Sequence, residues 1–373
     1  MNKKIRVFEA FAGYGSQSIA LRNIGVDYEV VAISEIDKYA IKAYEAIHGK
    51  VNNLGDISKV KVEDIPDHDL FTYSFPCQDI SVAGKQASLE EGSGTRSSLL
   101  WECRKIIATK KPRYLLMENV KNLVSKKHKP YFDKWLEYLE GLGYINYWQV
   151  LNAKDFGVPQ NRERVFVVSI LNNENEFNFE DGIELDRALG DMLEESVDEK
   201  YYIDTDRAKS VIQQLIETNQ LNNDIVPCDS TIVKPKKLDI SNCITARYDA
   251  GIQNKQSIGV AVVERIKDYN NSDRIGGLFD DDKKHQAGSI WNTNALSPTL
   301  DTMQGGYRQP CIVDKYRLRK LTPRECFRLM GLNEIHIDRI QSSGISNSQQ
   351  YKMAGNSIVV QVLESIFKEL LLS

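Results

Sequence analysis

The stretch that decides the fold is IRVFEAFAGYGS, residues 5–16. A short β-rich run leads here into a turn that contains Gly13 and Gly15, and a helical pattern begins at Ser16. A glycine-rich turn lets a ligand approach the backbone N–H groups at the start of a helix. The dinucleotide-binding pattern G-x-G-x-x-G is incomplete because Ser18 takes the place of its third glycine. The turn therefore predicts a ligand site and weakens a pyrophosphate interpretation.

Strand and helix patterns continue to alternate as far as residue 171. This alternation predicts a doubly wound α/β domain. Gly25, Gly49 and Gly141 are placed to end three of the helices. The predicted strands are residues 5–8, 28–34, 69–75, 114–117, 148–151 and 164–171, and the predicted helices are residues 16–23, 37–47, 97–109 and 131–140.

The character of the sequence changes after a strongly acidic segment, residues 174–206, which holds thirteen acidic residues against two basic ones. Short β-rich runs follow it, separated by Gly, Asn, Asp and Pro. We interpret this part as a second, smaller, irregular β-rich domain. The runs are residues 244–248, 259–263 and 310–313, and residues 241–245 and 297–302 resemble the two arms of a hairpin.

Helical order returns near Leu321. Thr322 and Glu325 form a predicted capping box around Pro323, and Gly331 supplies a stop signal. A last helix follows residues 356–357 and has one apolar face, which we expect to pack on the first domain. Domain boundaries are therefore predicted at 1–172 with 317–373 and at 173–316. The apolar face comprises Ile358, Val359, Val362, Leu363, Ile366, Phe367 and Leu370.

Composition restricts the class of protein. The chain has 373 residues, of which 42% are hydrophobic and 27% charged, as in soluble globular proteins. Its apolar stretches are much shorter than the roughly 20 residues of a membrane helix, and no export signal follows the basic start. Six widely separated cysteines with no C-x-x-C pair argue against disulfides and against zinc. We expect a cytoplasmic protein without a metal.

The charge distribution does not exclude a polyanionic partner. The net charge is −4, but residues 174–206 alone carry −11, so the rest of the chain is positive. A solvated acidic linker beside nearly neutral domains explains the same pattern equally well.

Two acidic residues point to a nucleoside ligand. Glu35 closes the strand at 28–34, where a carboxylate can accept hydrogen bonds from both ribose hydroxyls. Asp56 is suited to accept a hydrogen bond from an adenine amino group. Either residue can instead be a solvent-facing loop acid.

Further reactive groups follow the next strands. Cys77 comes directly after the apolar strand at 69–75, and Glu118 follows the strand at 114–117, so both are expected at the carboxyl edge of one sheet. Arg162 and Arg164 point the same way in an extended chain. An inert core cysteine, a helix-capping acid and a surface charge cluster are the respective alternatives. Residues 79–96, rich in Gly and Ser, are consistent with a lid.

Six motifs in this order resemble the DNA (cytosine-5)-methyltransferase family of bacteria and phages. The resemblance covers nearly the whole chain outside about 173–316, and the order of the motifs is very specific. It implies a Rossmann-like methyltransferase domain and a target-recognition domain at 173–316. The motifs are Phe-x-Gly-x-Gly at 11–15, Pro76-Cys77-Gln78, Glu118-Asn119-Val120, Gln160-x-Arg162-x-Arg164, residues 319–331 and Gly355-Asn356-Ser357.

The resemblance implies S-adenosylmethionine as the methyl donor. Glu35 would hold its ribose, and Ile36, Asp56 and Ile57 would surround its adenine. The other residues implied for the cofactor are Phe11, Gly13 and Gly15 in the turn, Pro76 beside the nucleophile, and Asn356 and Ser357 from the far end of the chain.

The resemblance also implies the chemistry. Cys77 would add to carbon 6 of cytosine, Glu118 would hold or protonate N3, and Arg164 would bind the O2 side with support from Arg162. The cytosine must be flipped out of the duplex, at a cost of a few kcal/mol. Gln78 and Ser81 would close over it or fill its vacancy. The sequence departs from the family pattern at Ala83, where the lid often carries a second serine.

The segment 173–316 would read the DNA sequence, because its polar and basic side chains suit major-groove edges. Each of them can equally be a phosphate contact or ordinary surface. The candidates are Arg247, Arg274, Gln304 and Arg308, with Lys283, Lys284, Gln286 and Asn292.

The expected partner is double-stranded DNA, bound by a monomer near the nucleoid, with a companion restriction endonuclease left open. An RNA cytosine methyltransferase of the same family is the nearest alternative, since it uses the same catalytic residues. A catalytically silent DNA-binding regulator is a second alternative, and a nicotinamide-dependent dehydrogenase, supported only by the glycine-rich turn, is a third.

Overall fold

The computed structural model divides the chain into two compact units, each described here by itself. The large unit comprises Met1–Val197, Leu238–Gly251 and Leu321–Ser373, and the small unit comprises Asp198–Lys237 and Ile252–Lys320. The structure describes residues 4–75, 99–172, 176–218, 225–229, 236–244, 246, 258–263, 274–277, 289–291, 311–312 and 316–373.

A six-stranded mixed sheet forms the centre of the large unit. Its strand order is β2-β1-β3-β4-β6-β5, in which β1 to β4 run parallel and β6 runs antiparallel to both of its neighbours. The inversion of β6 follows from its short connection to β5, because a parallel neighbour would need a longer crossover. The strands are β1 (Ile5–Ala10), β2 (Tyr28–Ser34), β3 (Leu70–Tyr73), β4 (Tyr114–Val120), β5 (Tyr144–Asn152) and β6 (Glu163–Leu171).

Helices lie on both faces of this sheet, so the predicted α/β class is confirmed. The first helix has the predicted bounds, and the next three differ from the prediction by a few residues. The C-terminal capping box is present, with Thr322 and Glu325 each bonded to the backbone of the other. The helices of the large unit are α1 (Ser16–Asn23), α2 (Lys38–His48), α3 (Leu100–Lys110), α4 (Lys129–Gly141), α6 (Pro323–Arg328), α7 (Glu334–Ser342), α8 (Asn347–Asn356) and α9 (Val360–Leu372).

All four glycine stops predicted from the sequence lie at or shortly after the end of a helix. Gly25, Gly49 and Gly331 adopt positive φ angles next to helix ends. Gly141 is instead the last residue of α4, and Gly143 takes the left-handed conformation with φ 96°. Glycine is favoured there because a side chain is strained at that angle.

The main core lies between one face of the sheet and α3 and α4, where Phe8, Phe71 and Met117 meet Ile107 and Trp135. On α9 the whole predicted apolar face is buried. This helix packs against α1, and Asn23 donates a hydrogen bond to Glu364 across the contact (2.6 Å). The prediction that the last helix covers the first domain is confirmed.

The small unit is built on a five-stranded antiparallel sheet with the order β7-β14-β10-β8-β9. Helix α5 (Asp206–Glu217) packs on it through Ala208, Val211, Ile212 and Leu215. Sequence analysis missed this helix although its apolar residues have helical spacing, because it borders the acidic segment. The strands are β7 (Tyr202–Ile203), β8 (Ile225–Asp229), β9 (Lys236–Lys237), β10 (Ile258–Val263) and β14 (Tyr316–Arg319), and β11 (Arg274–Gly277), β12 (Ser289–Trp291) and β13 (Cys311–Ile312) form a three-stranded sheet.

Residues 241–244 are not part of the predicted β-rich hairpin. They belong to the large unit, where the backbone N–H of Ser241 donates to Pro159 O and the N–H of Asn161 donates to Ser241 O, both at 2.8 Å. These long-range hydrogen bonds determine the conformation of residues 241–244, and the local β-rich pattern does not. Residues 297–302, the other predicted arm, lie outside the described residues. In the predicted strand at 244–248, the described residues 244 and 246 are not in a strand.

The acidic segment also extends the large unit beyond the predicted boundary at residue 172. The backbone N–H of Glu194 donates to Glu325 (2.8 Å), and its carboxylate accepts from Thr322 and pairs with Arg324. Part of the negative charge of the segment is thus neutralised by α6. The assignment of the two predicted domains to catalysis and target recognition stays a prediction.

None of the described helices combines the length and the apolar character needed to span a bilayer.

Glu9 is a buried carboxyl group in the middle of β1. Ser18 donates a hydrogen bond to one carboxyl oxygen (2.7 Å), while the other oxygen has no hydrogen-bond partner. Burial raises the pKa of Glu9 to about 7, although the hydroxyl groups of Ser18 and Tyr44 act in the opposite direction. The protonated form is therefore favoured in the folded state.

We predict that Glu9→Gln stabilises the protein at high pH only. The unfolded chain releases the Glu9 proton near pH 4.5 and the folded protein near pH 7, so wild-type stability falls between these values and the loss is complete above them. The variant should be more stable by up to roughly 3 kcal/mol at pH 8 and equally stable at pH 4. Chemical denaturation at both pH values measures this difference.

Glu29→Gln is the matched control, because Glu29 is exposed on β2 and pairs with the exposed Lys4. It should change stability little at either pH. A Glu9→Gln effect of equal size at both pH values would contradict the prediction.

Candidate active site

The large unit contains a cavity of about 530 Å³ at the carboxyl edge of its parallel strands. It opens where β2 and β3 lie on opposite sides of β1, the switch point at which α/β sheets bind ligands. The lining comes from the turn after β1, the ends of β2, β3 and β4, the start of β6, and the segment joining α8 to α9.

The turn after β1 has the strained backbone that its glycines suggest. Phe11 and Gly13 line the cavity with φ 56° and 59°, and a Cβ atom on Gly13 would meet nothing within 4 Å. Gly15 has another role, because a Cβ atom there would lie 2.5 Å from His48 and 2.7 Å from Tyr44. It allows α1 to approach α2 and is not among the residues that line the cavity.

Glu35 connects this turn to the end of β2. One carboxylate oxygen accepts the backbone N–H of Gly13 (2.9 Å), and the other accepts those of Ile36 and Asp37 (both 2.8 Å). A carboxylate has about four acceptor positions, so capacity for a ligand remains. The side-chain oxygen of Asn53 accepts the backbone N–H of Glu35, and the side-chain nitrogen of Asn53 donates to Glu35 O (3.1 Å each). No sequence signal indicated this positioning role.

The neighbouring wall combines apolar and acidic groups. Ile36 lines the cavity with 73% of its surface exposed, which suits a side chain that a flat ring covers, and the buried Ile57 lines it too. The Ser58 hydroxyl donates to Asp56 (2.7 Å) and lowers the pKa of that carboxyl. Asp56 is therefore an ionised acceptor on the cavity lining.

The opposite wall comes from the C-terminal part of the chain. Asn356 and Ser357 line the cavity, and the Ser357 hydroxyl is hydrogen-bonded to Tyr14 in the turn after β1. Lys352 donates to Asp37 at the start of α2 (2.6 Å). Sequence analysis missed Tyr14 and Lys352, although both lie within two or three residues of quoted motif residues.

Glu118 and Arg164 form a largely buried ion pair on the same cavity. Glu118 lies in β4, and its Oε1 is 3.2 Å from Nε of Arg164 in β6. Burial raises the pKa of Glu118, although the positive charges of Arg164 and Arg162 and the Ser74 hydroxyl oppose the rise. A carboxyl group in this setting can donate a proton to a ligand more readily than an exposed one.

Asn119 connects this pair to the end of β3. Its side-chain amide donates to Phe75 O (3.0 Å), and its side-chain oxygen accepts the N–H of Val120 (2.9 Å). Phe75 precedes the predicted nucleophile by two residues. Phe75, the last described residue before Cys77, is thus hydrogen-bonded to the residue that follows Glu118.

Arg162 is a buried positioning residue at the start of β6. Its guanidinium donates to the carbonyl oxygens of Ile244 (2.9 Å), Gly355 (2.9 Å) and Ser357 (2.7 Å). These three carbonyls belong to two segments that are distant in sequence. Arg162 and Arg164 line one cavity, as the sequence predicted, but they make different contacts.

Several predicted site residues lie outside the described residues, and their roles stay predictions. Arg274 begins strand β11 of the small unit, and its side chain is also outside the described set. The others are Pro76, Cys77, Gln78, Ser81, Ala83, Arg247, Gln304 and Arg308.

The fold and the cavity together define a Rossmann-like α/β domain with a nucleoside-sized site at its switch point. The sequence model of the C-5 cytosine-specific DNA methylase family matches residues 5–372. The chain belongs to this family.

Two relatives agree with this assignment, and a solved structure shares the fold. The chain is 39% identical to the type II methyltransferase M2.ScrFI of Lactococcus lactis subsp. cremoris, over 98% of this chain and 99% of that protein. It is 32% identical to the orphan methyltransferase M.SPRI of Bacillus phage SPR, over 99% and 98%. The Dnmt2 methyltransferase of S. pombe shares the fold, with a TM-score of 0.62 at 21% identity over 99% and 98% of the two chains.

We predict that Arg162→Lys destabilises the protein by roughly 2 to 4 kcal/mol. The guanidinium reaches the three carbonyl oxygens through two separate nitrogen atoms, Nη1 and Nη2. The single nitrogen of a lysine ammonium cannot occupy both positions, so buried carbonyl oxygens lose their partners. Urea denaturation of the variant and wild type measures the difference.

Arg187→Lys is the control, because the side chain of Arg187 is 61% exposed. It should unfold like wild type. A loss of stability in Arg162→Lys no larger than in this control would refute the assigned role.

Proposed function

We propose that this protein transfers a methyl group from S-adenosylmethionine to carbon 5 of a cytosine flipped out of duplex DNA, through a covalent adduct with Cys77. The Glu118–Arg164 pair carries the proposal, because it faces the same cavity as Glu35 and lies beside the strand end that leads to Cys77. The methyl donor and the flipped cytosine would therefore meet in one cavity.

The cavity fits the proposed methyl donor. Its volume lies within the range of about 300–1,000 Å³ that is usual for small-molecule sites. Glu35 would hold the ribose hydroxyls, with Ile36 against the adenine and Asp56 near its amino group. Two of the lining cations, Lys352 and Arg164, are paired with carboxylates, which favours a nucleoside without phosphates. When bound, S-adenosylmethionine supplies a methyl group on a positively charged sulfur.

The chain's own residues would activate the base. The Cys77 thiolate adds to carbon 6 of cytosine, and the displaced electron pair moves toward N3, which Glu118 would hold or protonate. Arg164 stabilises negative charge on the O2 side. Carbon 5 then carries the electron density that accepts the methyl group. Loss of the carbon 5 proton, departure of the Cys77 thiolate and return to Glu118 of any proton given to N3 restore the aromatic ring and the enzyme.

DNA is the proposed partner because the relatives named above are type II and orphan methyltransferases of the family. Gln78 and Ser81 would act where the flipped base leaves the duplex. The segment 173–316, with Arg247, Arg274, Gln304 and Arg308, would read the target sequence. A companion restriction endonuclease, a monomeric state and a location at the nucleoid are proposed with it.

The direct test supplies purified protein with S-adenosylmethionine carrying a labelled methyl group and with either mixed-sequence duplex DNA or transfer RNA. We expect label in the DNA, and bisulfite sequencing should place it at carbon 5 of cytosines within one short motif. Label in RNA alone would overturn the DNA assignment in favour of the RNA enzyme. Label in neither would favour a silent DNA-binding protein.

We predict that Cys77→Ala lowers methyl transfer to background while S-adenosylmethionine still binds, as calorimetry can measure. A duplex containing 5-fluorocytosine should trap wild-type protein in an adduct that survives denaturation, because fluorine cannot leave as a proton does. Peptide mapping should place the adduct on Cys77.

Cys103→Ala is the matched control. Cys103 is fully buried in the main core, and burial raises the pKa of its thiol. This variant should retain methyl transfer. Full activity of Cys77→Ala, or an adduct on another cysteine, would remove Cys77 as the nucleophile.

A further inference from the structure

Cys243 lies beside both arginines of the candidate active site. Its sulfur is 3.4 Å from Nη1 of Arg162 and 3.9 Å from Nη2 of Arg164, within the range of hydrogen bonds to sulfur. The sulfur therefore lies between two guanidinium groups, one from β6 and one from the residue just before it, about eighty residues earlier in the chain. Sequence analysis gave Cys243 no role, because only long-range contacts bring it here.

The positive charges of Arg162 and Arg164 favour an acidic group, such as the Cys243 thiol, at this position. Burial and the positive charge of Arg164 both lower the pKa of Arg162, whereas Cys243 and Glu118 raise it. Burial alone would raise the pKa of the Cys243 thiol, but Arg162 and Arg164 outweigh it and lower the pKa below its ordinary value. Cys243 thus supplements Glu118 as an acidic neighbour of two crowded cations.

The backbone fixes the position of the sulfur. The N–H of Ile244 donates to the side-chain oxygen of Gln160 (3.2 Å), and the Gln160 amide donates to Leu329 O (2.6 Å). Together with the backbone bonds of Ser241, these contacts attach the segment 241–244 to the start of β6. Cys243 is therefore a fixed acceptor.

Arg164 is held through three different nitrogen atoms. Its Nε faces Glu118 (3.2 Å), its Nη1 donates to Glu163 O (2.8 Å), and its Nη2 points to Cys243 (3.9 Å). Three acceptors on three nitrogens fix both the plane and the rotation of a guanidinium. If the Cys243 sulfur is removed, Nη2 of Arg164 loses this acceptor.

We propose that Cys243 is a positioning residue for methyl transfer: its sulfur accepts hydrogen bonds from both guanidiniums and holds Arg164 in the orientation that pairs it with Glu118. The inference rests on the proposed function, in which Arg164 binds the O2 side of the cytosine. Cys243 acts through Arg164 and is a second functional cysteine beside the nucleophile.

Steady-state kinetics of Cys243→Ala test this role. We expect kcat to fall about tenfold, with the KM for S-adenosylmethionine unchanged because Glu35 and Asp56 are unaffected. Cys243→Ser should recover part of the loss, since a hydroxyl oxygen can accept the same hydrogen bonds. It also supplies the comparison if the alanine variant does not fold. Wild-type kcat in both variants would overturn the proposal.

Ser241→Ala is the matched control in the same segment. Among the described residues, its hydroxyl donates to the neighbouring Asn242 O (2.8 Å) and has no hydrogen bond to either arginine. This variant should keep wild-type kcat. A loss equal to that of Cys243→Ala would indicate a general disturbance of the segment and overturn the proposal.

A double-mutant cycle separates positioning from a merely structural role. If Cys243 acts through Arg164, Cys243→Ala should change kcat by less than twofold in an Arg164→Lys background. The same tenfold loss in that background would overturn the proposal.

Crystal structures keep this test distinct from that of the proposed function. In Cys243→Ala we expect the Arg164 guanidinium to have turned away from Glu118. An unchanged Glu118–Arg164 contact would overturn the inference whatever the enzyme methylates. A wild-type protein that methylates no DNA would overturn the proposed function instead.

Discussion

The buried guanidinium of Arg162 joins three distant parts of the large unit. It lies just before β6 and donates to carbonyl oxygens of the segment 241–244, of the C-terminal end of α8 and of the link from α8 to α9. The same link carries Asn356 and Ser357, which line the cavity. The Arg162 side chain therefore fixes two walls of the cavity relative to each other: the wall proposed to contact the cytosine and the wall proposed to contact S-adenosylmethionine. This constraint is what makes a single enclosed site possible.

Charge pairing explains how so many ionised groups share this site. Lys352 pairs with Asp37 and Arg164 with Glu118, while the Glu35 carboxylate accepts backbone N–H groups. Each ion is stabilised by a partner that the fold holds in place, so little reorganisation is needed when a ligand enters. The groups that contact a ligand are thus oriented before it binds, by residues that do not contact the ligand themselves.

The sequence predicted those parts of the fold that local physics decides. The bounds of β2 and α1, the capping box at Thr322 and the apolar face of α9 depend on neighbouring residues and on helical spacing. The inverted β6 and the attachment of residues 241–244 depend on partners far away in sequence. For the same reason Glu118 and the arginines were recognised from motifs, whereas Asn53, Tyr14 and Cys243 were not. The glycine at position 15 was recognised, but its contact with α2 was not.

The separation of the two cavity walls along the chain has a consequence for biosynthesis. The turn at Tyr14 and its hydroxyl partner Ser357 are 343 residues apart, so the ribosome makes one wall early and the other very late. The sheet can begin to fold while its strands emerge, but the cavity stays open on one side until α8 and α9 have left the exit tunnel. Assembly of the complete cavity therefore requires that translation has passed this region.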